Sequence, residues 1–354
     1  MRRELGMSIA LVLMCLVLFI SNSDFLGQSN GINTLRQISM LGIYAIGIAF
    51  VIIAGGIDLS IGSTIGLTGV LIAKISSPGA GGLGHSLWLG IPLAIGVALV
   101  IGLLQGLLIT RLKLQPFIVT LGGMLLLRGV SQTIAEGGTL SLGGSPLLDL
   151  ANGGWLKVNG DPLLPYPFLI FLGVIAIATY VLHFTVFGRY VYAIGGNRDA
   201  AEYSGINVKL VETITYLVSA GLAGVAGVCY AAYIGQMSQQ VGIAYELYAI
   251  AAAVLGGCSL RGGEGTVLGI IIGSAIMRVI DNGINMFQLQ YQDAEGIQRI
   301  WRLNPNWTFV IIGGVILVAV ILDQVVHIVQ GKRRIRRAAA AAAEAAPAPS
   351  VSAH

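Results

Sequence analysis

The most informative stretch of this chain is IAFVIIAGGIDLSIGSTIGLTGVLIA, residues 48–73. Two apolar runs flank a break at Gly55–Ser63 that holds glycines, hydroxyl side chains and one acidic residue. An uncharged apolar run of about 20 residues is long enough to cross a bilayer as a helix. The glycines of the break end the first helix, and Asp58 or Ser60 caps the second. The stretch therefore predicts two membrane helices joined by a short turn.

The composition extends this prediction to the whole chain. Hydrophobic residues make up 55% of the 354 residues and charged residues only 10%, and the mean hydropathy is +0.84. Soluble domains contain roughly a quarter charged residues, so this composition excludes an ordinary water-exposed protein. We predict an all-α fold, a polytopic transmembrane helical bundle of about ten spans. The apolar runs lie at residues 5–21, 38–54, 58–75, 87–109, 116–134, 166–184, 210–233, 245–257, 264–281 and 307–328.

The few basic residues indicate how the bundle is oriented. With ten spans and an inner N-terminus, thirteen of the 20 Lys and Arg residues fall in inner segments and five in outer segments. This asymmetry is the one that the positive-inside rule describes. We therefore predict that both termini are cytoplasmic. A permease domain at 1–337 is followed by a disordered Ala/Pro-rich cytoplasmic tail at 338–354.

Enzyme and metal chemistry find no support in the sequence. The 3 cysteines and 4 histidines lack the spacing of a disulfide framework or a metal site. The Gly331-Lys332 pair lacks the glycine five residues earlier that a phosphate-binding loop requires. We predict no catalytic residue, metal or cofactor in this chain. The net charge of +4 belongs to the inner loops, so nucleic-acid binding is not expected.

Two arginines lie within predicted spans. Arg278 and Asp281 are three residues apart, so they share a helix face and are predicted to form a structural ion pair. Arg128 has no local partner; it is predicted to extend towards Glu136 at the outer end of its span or to face another helix.

The longest inner loop, 184–209, is predicted to contain a short helix. Asn197 is a suitable N-cap, Asp199 suits the first turn, and Gly205 ends the helix. A helix of about two turns outside the membrane, with a mixed polar and apolar surface, suits docking against a partner protein.

Several motifs together resemble the ribose-type sugar permeases of bacterial ABC importers, within the branched-chain amino acid/ribose permease superfamily. They are GGIDLSIGS at 55–63, PFIVTLG at 116–122, GRYVYAIGGN at 188–197 with AA at 200–201 and SGI at 204–206, AAAVLGG at 251–257, and GGEGT at 262–266. The resemblance implies a type II-like importer permease in the bacterial inner membrane. It also implies three kinds of partner: an ABC ATPase that docks from inside, a periplasmic sugar-binding protein, and a second permease chain in a homodimer or heterodimer.

The resemblance also implies roles for particular residues. The segment that matches the ATPase-coupling loop of the family contains Gly188, Arg189, Asn197, Arg198, Asp199, Ala200, Ala201, Ser204, Gly205 and Ile206. A neutral sugar requires hydrogen-bonding groups along its path, and the predicted translocation path contains Asp58, Ser60, Ser63, Thr120, Asn282 and Asn285. Each of these path residues could equally be a helix cap or a contact between helices.

Other functions stay open on the sequence alone. The solute could be a nucleoside, a signalling furanoside or an amino acid instead of ribose, xylose or a similar sugar. An ion-driven secondary transporter would use intramembrane carboxylates as coupling sites; Asp58 and Asp281 are the candidates, and both have simpler explanations as a cap and an ion-pair partner.

Overall fold

The computed structural model describes residues 2–78, 82–158, 161–292, 298–302, 304, 307–318, 320–321 and 324–325. Most of these residues are helical. The helices are α1 (Arg2–Ser21), α2 (Gln28–Ile53), α3 (Ile61–Ser76), α4 (Leu87–Arg111), α5 (Pro116–Ile134), α6 (Leu148–Asn152), α7 (Tyr166–Phe184), α8 (Val186–Gly196), α9 (Arg198–Tyr203), α10 (Val208–Ile234), α11 (Tyr245–Leu255), α12 (Val267–Met286) and α13 (Trp307–Val318). The predicted tail 338–354 lies outside the described residues.

Ten of these helices coincide with the ten predicted apolar runs. Among the described residues, seven helices are long and apolar enough to cross a membrane, namely α1, α2, α4, α5, α7, α10 and α12. Helices α3, α11 and α13 are apolar but shorter. The chain is a multi-pass membrane protein, as predicted. The count of ten spans and the cytoplasmic side of both termini stay predictions.

Helices α2 and α10 form the centre of the bundle. Helix α2 packs against α7, α10, α11 and α12, and α10 also packs against α3 and α4. Two glycines of α4 allow its close approach to α10: a Cβ added to Gly102 would lie 2.6 Å from the carbonyl oxygen of Tyr216, and one added to Gly106 would lie 3.0 Å from Thr213 Cα. These small residues therefore form a seam within the chain.

The fold is mostly helical, as predicted, and the described residues also contain three small antiparallel sheets. Strand β1 (Thr139–Ser141) pairs with β4 (Gln236–Ser238), β2 (Gly154–Val158) with β3 (Asp161–Pro165), and β5 (Gln288–Gln292) with β6 (Gln298–Arg302). The Gly/Pro-containing segment between α5 and α7 holds three of these strands. Glycine and proline prevent a long helix there, but the backbone still needs hydrogen-bond partners, which strand pairing supplies.

Candidate functional site

The break between α2 and α3 carries a buried polar cluster. Asp58 is 1% exposed, and its Oδ1 accepts hydrogen bonds from the backbone N–H of Ser60 at 2.9 Å and from Ser60 Oγ at 2.7 Å. Its Oδ2 accepts from Ser219 Oγ of α10 at 2.8 Å. Gln105 Nε2 of α4 donates to Ser60 Oγ at 2.9 Å. We call Asp58, Ser60, Gln105 and Ser219 the Asp58 cluster; it joins the break to two neighbouring helices.

Two further residues of the predicted path lie close to this cluster. Thr120 is fully buried on α5, and its Oγ1 donates to the carbonyl oxygen of Pro116 in its own helix at 2.8 Å. The same hydroxyl lies 3.5 Å from the carbonyl oxygen of Ile57 in the break. Ser63 is 3% exposed in the first turn of α3, and its Oγ has no hydrogen-bond partner among the described residues.

Asn282 and Asn285 belong to a different part of the bundle. Asn282 exchanges two side-chain hydrogen bonds with Asn30 of α2, at 2.8 and 3.1 Å. Asn285 Nδ2 donates to the carbonyl oxygen of Asp281 one turn earlier, at 2.8 Å. Four of the six predicted path residues therefore gather around the α2–α3 break, while these two asparagines bond near the C-terminal end of α12.

Arg278 and Asp281 are in contact on α12, with Nη1 and Oδ2 3.1 Å apart. Arg278 Nη2 also donates to Tyr230 OH of α10 at 2.8 Å, and its guanidinium carbon lies 5.2 Å from the ring centre of Tyr248. Tyr245 packs beside Tyr230 with ring centres 5.0 Å apart. Aromatic faces and a carboxylate thus surround this intramembrane cation.

The predicted proximity of Arg128 to Glu136 is replaced by other contacts. Glu136 forms an exposed ion pair with Lys74, with Nζ and Oε1 3.2 Å apart. Arg128 instead interacts electrostatically with Glu246 in the first turn of α11. Of the two alternatives, the electrostatic interaction with Glu246 agrees with the one in which Arg128 faces another helix.

The predicted coupling segment is a capped helix whose fold follows from local interactions. Asn197 Oδ1 accepts from the backbone N–H of Ala200 at 3.0 Å, and Asp199 lies in the first turn of α9. Ser204 Oγ donates to the carbonyl oxygen of Ala200 at 2.8 Å. Gly205 ends the helix with a φ of +84°, a conformation that favours glycine.

Tertiary contacts hold this helix against the bundle. Ala201 is buried, and Ile206 packs against the main hydrophobic core. Arg198 makes two hydrogen bonds to Glu212 of α10, Nε to Oε1 at 2.9 Å and Nη2 to Oε2 at 3.3 Å. Donation of these hydrogen bonds to the Glu212 carboxylate raises the pKa of Arg198. Tyr203 is 92% exposed, so α9 presents an aromatic side chain outward.

The 184–209 loop also contains α8, a helix that its sequence pattern did not predict. Thr185 Oγ1 caps it by accepting from the backbone N–H of Gly188 at 3.2 Å. Gly188 is buried at the corner between α7 and α8, and Arg189 is exposed. Tyr192 OH donates to the carbonyl oxygen of Gly265 at 2.7 Å. Burial raises the pKa of Tyr192 to about 12, so its phenol keeps this proton near neutral pH.

Three glycine-rich segments meet next to α9. The backbone N–H of Gly263 donates to the carbonyl oxygen of Ile53 at 2.8 Å. A Cβ on Gly195 would collide with that carbonyl oxygen and with the N–H of Gly263. A Cβ on Gly262 would lie 2.8 Å from Gly195 Cα and 2.9 Å from Gly55 Cα. We call Gly55, Gly195, Gly262 and Gly263 the glycine junction. It places the end of α8 directly on two helix breaks, the one between α2 and α3 and a second one between α11 and α12.

A cavity of about 640 Å³ opens between α9 and the ends of α2, α4, α5 and α10. We call it the α9 cavity. Gly55, Gly56 and Tyr216 line it, so it reaches the break that carries Asp58. Its charged lining residues are of both signs and include Lys113, Arg198, Glu202, Lys209, Glu212 and Arg261. In the described residues, no group of three His, Cys, Asp or Glu side chains could hold a metal ion.

Sequence reasoning missed several residues of these sites. Gln105 lies within an apolar helix, and Ser219 resembles any small residue in a membrane span. Glu246 at the start of a short apolar run reads as a first-turn helix residue. The sequence did offer one signal for Gln105 and Glu246: ionisable and amide side chains are rare inside membrane spans, so each such residue is a candidate functional residue.

These features define a multi-pass membrane permease: a helical bundle with broken helices, buried polar groups at a break, and an exposed short helix linked to it. A family model described as the permease component of the branched-chain amino acid transport system matches residues 30–321. That range covers most of the chain, so the protein belongs to this permease family, and the resemblance stated from its motifs is confirmed.

The alignments with individual relatives cover most of this chain and most of each relative. The ribose import permease protein RbsC of Haemophilus influenzae is 38% identical over 79% of this chain and 85% of its own length. RbsC of Bacillus subtilis is 35% identical over 91% of this chain and 93% of its own. The xylose transport system permease protein XylH of Haemophilus influenzae is 31% identical over 88% of this chain and 93% of its own length. No solved structure matches the chain.

Proposed function

We propose that this chain is the transmembrane permease subunit of an ATP-binding cassette importer that moves a monosaccharide, such as ribose or xylose, into the cytoplasm. A separate ATPase subunit hydrolyses ATP, so this chain needs no cofactor of its own. A periplasmic binding protein delivers the sugar, and a second permease chain completes the path. The relatives named as ribose and xylose permeases support the sugar class.

The observation that carries this proposal is the connection of α9 to the two helix breaks through the end of α8. Helix α9 is exposed on one side, where Tyr203 projects, and is attached to α10 through Arg198 and Glu212 on the other. The glycine junction continues this attachment to the breaks by backbone contact. Movement of α9 by a partner ATPase is therefore transmitted to the α2–α3 break and the Asp58 cluster. The resulting mechanism is alternating access, with the α9 cavity as the inner opening.

The variant Gly205→Pro tests the coupling role of α9. Proline fixes φ near −65°, whereas Gly205 has a φ of +84° and donates its N–H to the carbonyl oxygen of Glu202. We expect the variant to insert normally but to lose binding-protein-stimulated ATP hydrolysis and ¹⁴C-ribose and ¹⁴C-xylose uptake in the complete importer. The matched control is Gly84→Pro, because Gly84 also has a positive φ and donates its N–H to a backbone carbonyl, but lies far from α9.

Normal ATP hydrolysis and uptake with Gly205→Pro would contradict the docking role. The energy source is tested separately in cells with an inactive ATPase subunit. If import is driven by ATP, it stops in those cells. In cells with an active ATPase subunit, it persists when a protonophore collapses the ion gradient. The reverse pattern would indicate an ion-coupled secondary transporter.

A second candidate is an amino acid permease of the same architecture, favoured by the description of the matching family as a branched-chain amino acid transport system. Uptake of ¹⁴C-leucine, measured beside the two pentoses, distinguishes it. Leucine uptake without pentose uptake would assign the chain to the amino acid class.

A further inference from the structure

The two arginines inside the bundle have different surroundings. Arg278 contacts Asp281, Tyr230 and the face of Tyr248, although its Nε has no hydrogen-bond partner among the described residues. Arg128 of α5 has a buried Nη2 with no hydrogen-bond partner among the described residues. The direct ion pairs of the described residues are Lys74–Glu136, Arg198–Glu202, Arg198–Glu212 and Arg278–Asp281, and Arg128 is in none of them. An intramembrane cation without a direct partner requires an explanation beyond structural pairing.

Glu246 is the acidic group that interacts electrostatically with Arg128. Its carboxylate is also incompletely hydrogen-bonded. It is 9% exposed, and its buried Oε2 has no hydrogen-bond partner among the described residues. That oxygen lies over Gly62, because a Cβ at this position would collide with it. The backbone that leads to Glu246 is unusual, since Ala244 has a φ of +64° and serves as the N-cap of α11. Such a strained residue is retained where its neighbours need a particular position.

A buried hydroxyl group completes the set. Ser63 lies in the same turn of α3 as Gly62, the residue that Glu246 Oε2 approaches, and its own buried Oγ has no partner among the described residues. Hydroxyls inside membrane helices commonly donate to a carbonyl one turn earlier, as Ser39 does to Leu35 at 2.7 Å. The Ser63 hydroxyl departs from that pattern.

We propose that Ser63, Arg128 and Glu246 form a sugar-contact site within the membrane, between α3, α5 and α11; this inference rests on the proposed function. A sugar hydroxyl both donates and accepts hydrogen bonds. Glu246 Oε2 accepts from one hydroxyl, the Arg128 guanidinium donates to the oxygen of another, and Ser63 bonds in either sense. One cation and one anion leave the site without net charge, which suits a neutral solute. The sugar supplies during transit the hydrogen bonds that these buried groups lack.

The test neutralises the two charges singly and together: Glu246→Gln, Arg128→Gln and the double variant. In proteoliposomes with the complete importer, we expect each single variant to reduce the maximal rate of ¹⁴C-ribose or ¹⁴C-xylose uptake about 10- to 100-fold, the effect of one lost charge-assisted hydrogen bond. The double variant is expected to insert but not to recover uptake. ATP hydrolysis is retained in all three, because α9 is unchanged.

Matched controls separate sugar contact from general damage. The double variant Lys74→Gln with Glu136→Gln neutralises an exposed pair and should keep normal uptake. Ser63→Ala should reduce uptake, whereas Ser39→Ala, which removes a hydroxyl bonded within its own helix, should not. The melting temperature of each purified variant reports on folding.

Recovery of uptake in the Arg128→Gln, Glu246→Gln double variant would show a structural ion pair and overturn the inference. Unchanged uptake by Glu246→Gln and Ser63→Ala would overturn it as well. A Glu246→Gln importer that loses only a dependence of uptake on the proton gradient would assign Glu246 to ion coupling instead. If the wild-type importer takes up no sugar, the proposed function fails; if wild type transports and these variants do too, only this inference fails.

Discussion

Asp58 lies at the turn between α2 and α3, where its carboxylate accepts hydrogen bonds from both local and distant groups. The bond from the backbone N–H of Ser60 is local and follows from the Asp-x-Ser spacing. The bond from Ser219 joins residues 161 positions apart and was not predictable from that spacing. Asp58 is therefore both a turn residue and the point at which α10 is attached to the break. Its further role in the sugar path stays a prediction.

The variant Asp58→Ala should destabilise the protein. Each buried donor that loses its acceptor costs about 1–3 kcal/mol, and here the hydroxyls of Ser60 and Ser219 lose their carboxylate partner. We expect a lower midpoint of unfolding in detergent, measured by intrinsic fluorescence, and a smaller loss for Asp58→Asn, which keeps one acceptor oxygen. Asp149→Ala at an exposed position is the control and should leave the midpoint unchanged. A stable Asp58→Ala protein would remove the structural role assigned to the cluster.

Among the secondary-structure elements, α8 and the two helix breaks contain glycines because their backbones approach one another too closely for side chains. Gly195 closes the approach of α8 to Ile53 and Gly263, where side chains of any size would separate the backbones. The structure shows that the break between α2 and α3 contacts the break between α11 and α12, and that Gly195 at the end of α8 contacts both.

Neighbouring glycines of α8 provide a matched test of the junction. A Cβ at Gly195 collides with backbone atoms that cannot move aside, whereas a Cβ at Gly196 meets no heavy atom within 4 Å. We expect Gly195→Ala to uncouple ATP hydrolysis from uptake. If the lost contact contributes ~1.4 kcal/mol, the amount of sugar transported per ATP hydrolysed should fall about tenfold. Gly196→Ala should behave as wild type. Equal ratios of uptake to hydrolysis in the two variants would exclude mechanical transmission through the junction.

At the scale of the whole molecule, the bundle places its polar features at two ends. The α9 cavity, α9 itself and the glycine junction share one end, while the strand pairs β1–β4 and β2–β3 and the exposed Lys74–Glu136 pair lie at the other. The positive-inside rule assigns the end with α9 to the cytoplasm. This arrangement suits a chain that receives its solute at one face and its driving force at the other.

Cysteine labelling tests this orientation. In a variant whose three cysteines are replaced by alanine, Lys157→Cys in the β2 strand should react with a membrane-impermeant maleimide added to intact spheroplasts. Tyr203→Cys on α9, at a position that is 92% exposed, should react only after the membrane is permeabilised. Reaction of both residues from the same side would contradict the predicted topology.

Local pattern alone was sufficient for the membrane class, the positions of ten apolar helices, the cap at Asn197 and the helix end at Gly205. These features depend on hydropathy over one span or on hydrogen bonds between residues three or four positions apart, so neighbouring residues determine them. Only the tertiary structure brought Gln105 and Ser219 to Asp58, Glu246 towards Arg128, and Gly195 onto Ile53 and Gly263. These contacts join residues far apart in the chain, and a local pattern contains no information about which helix faces become neighbours.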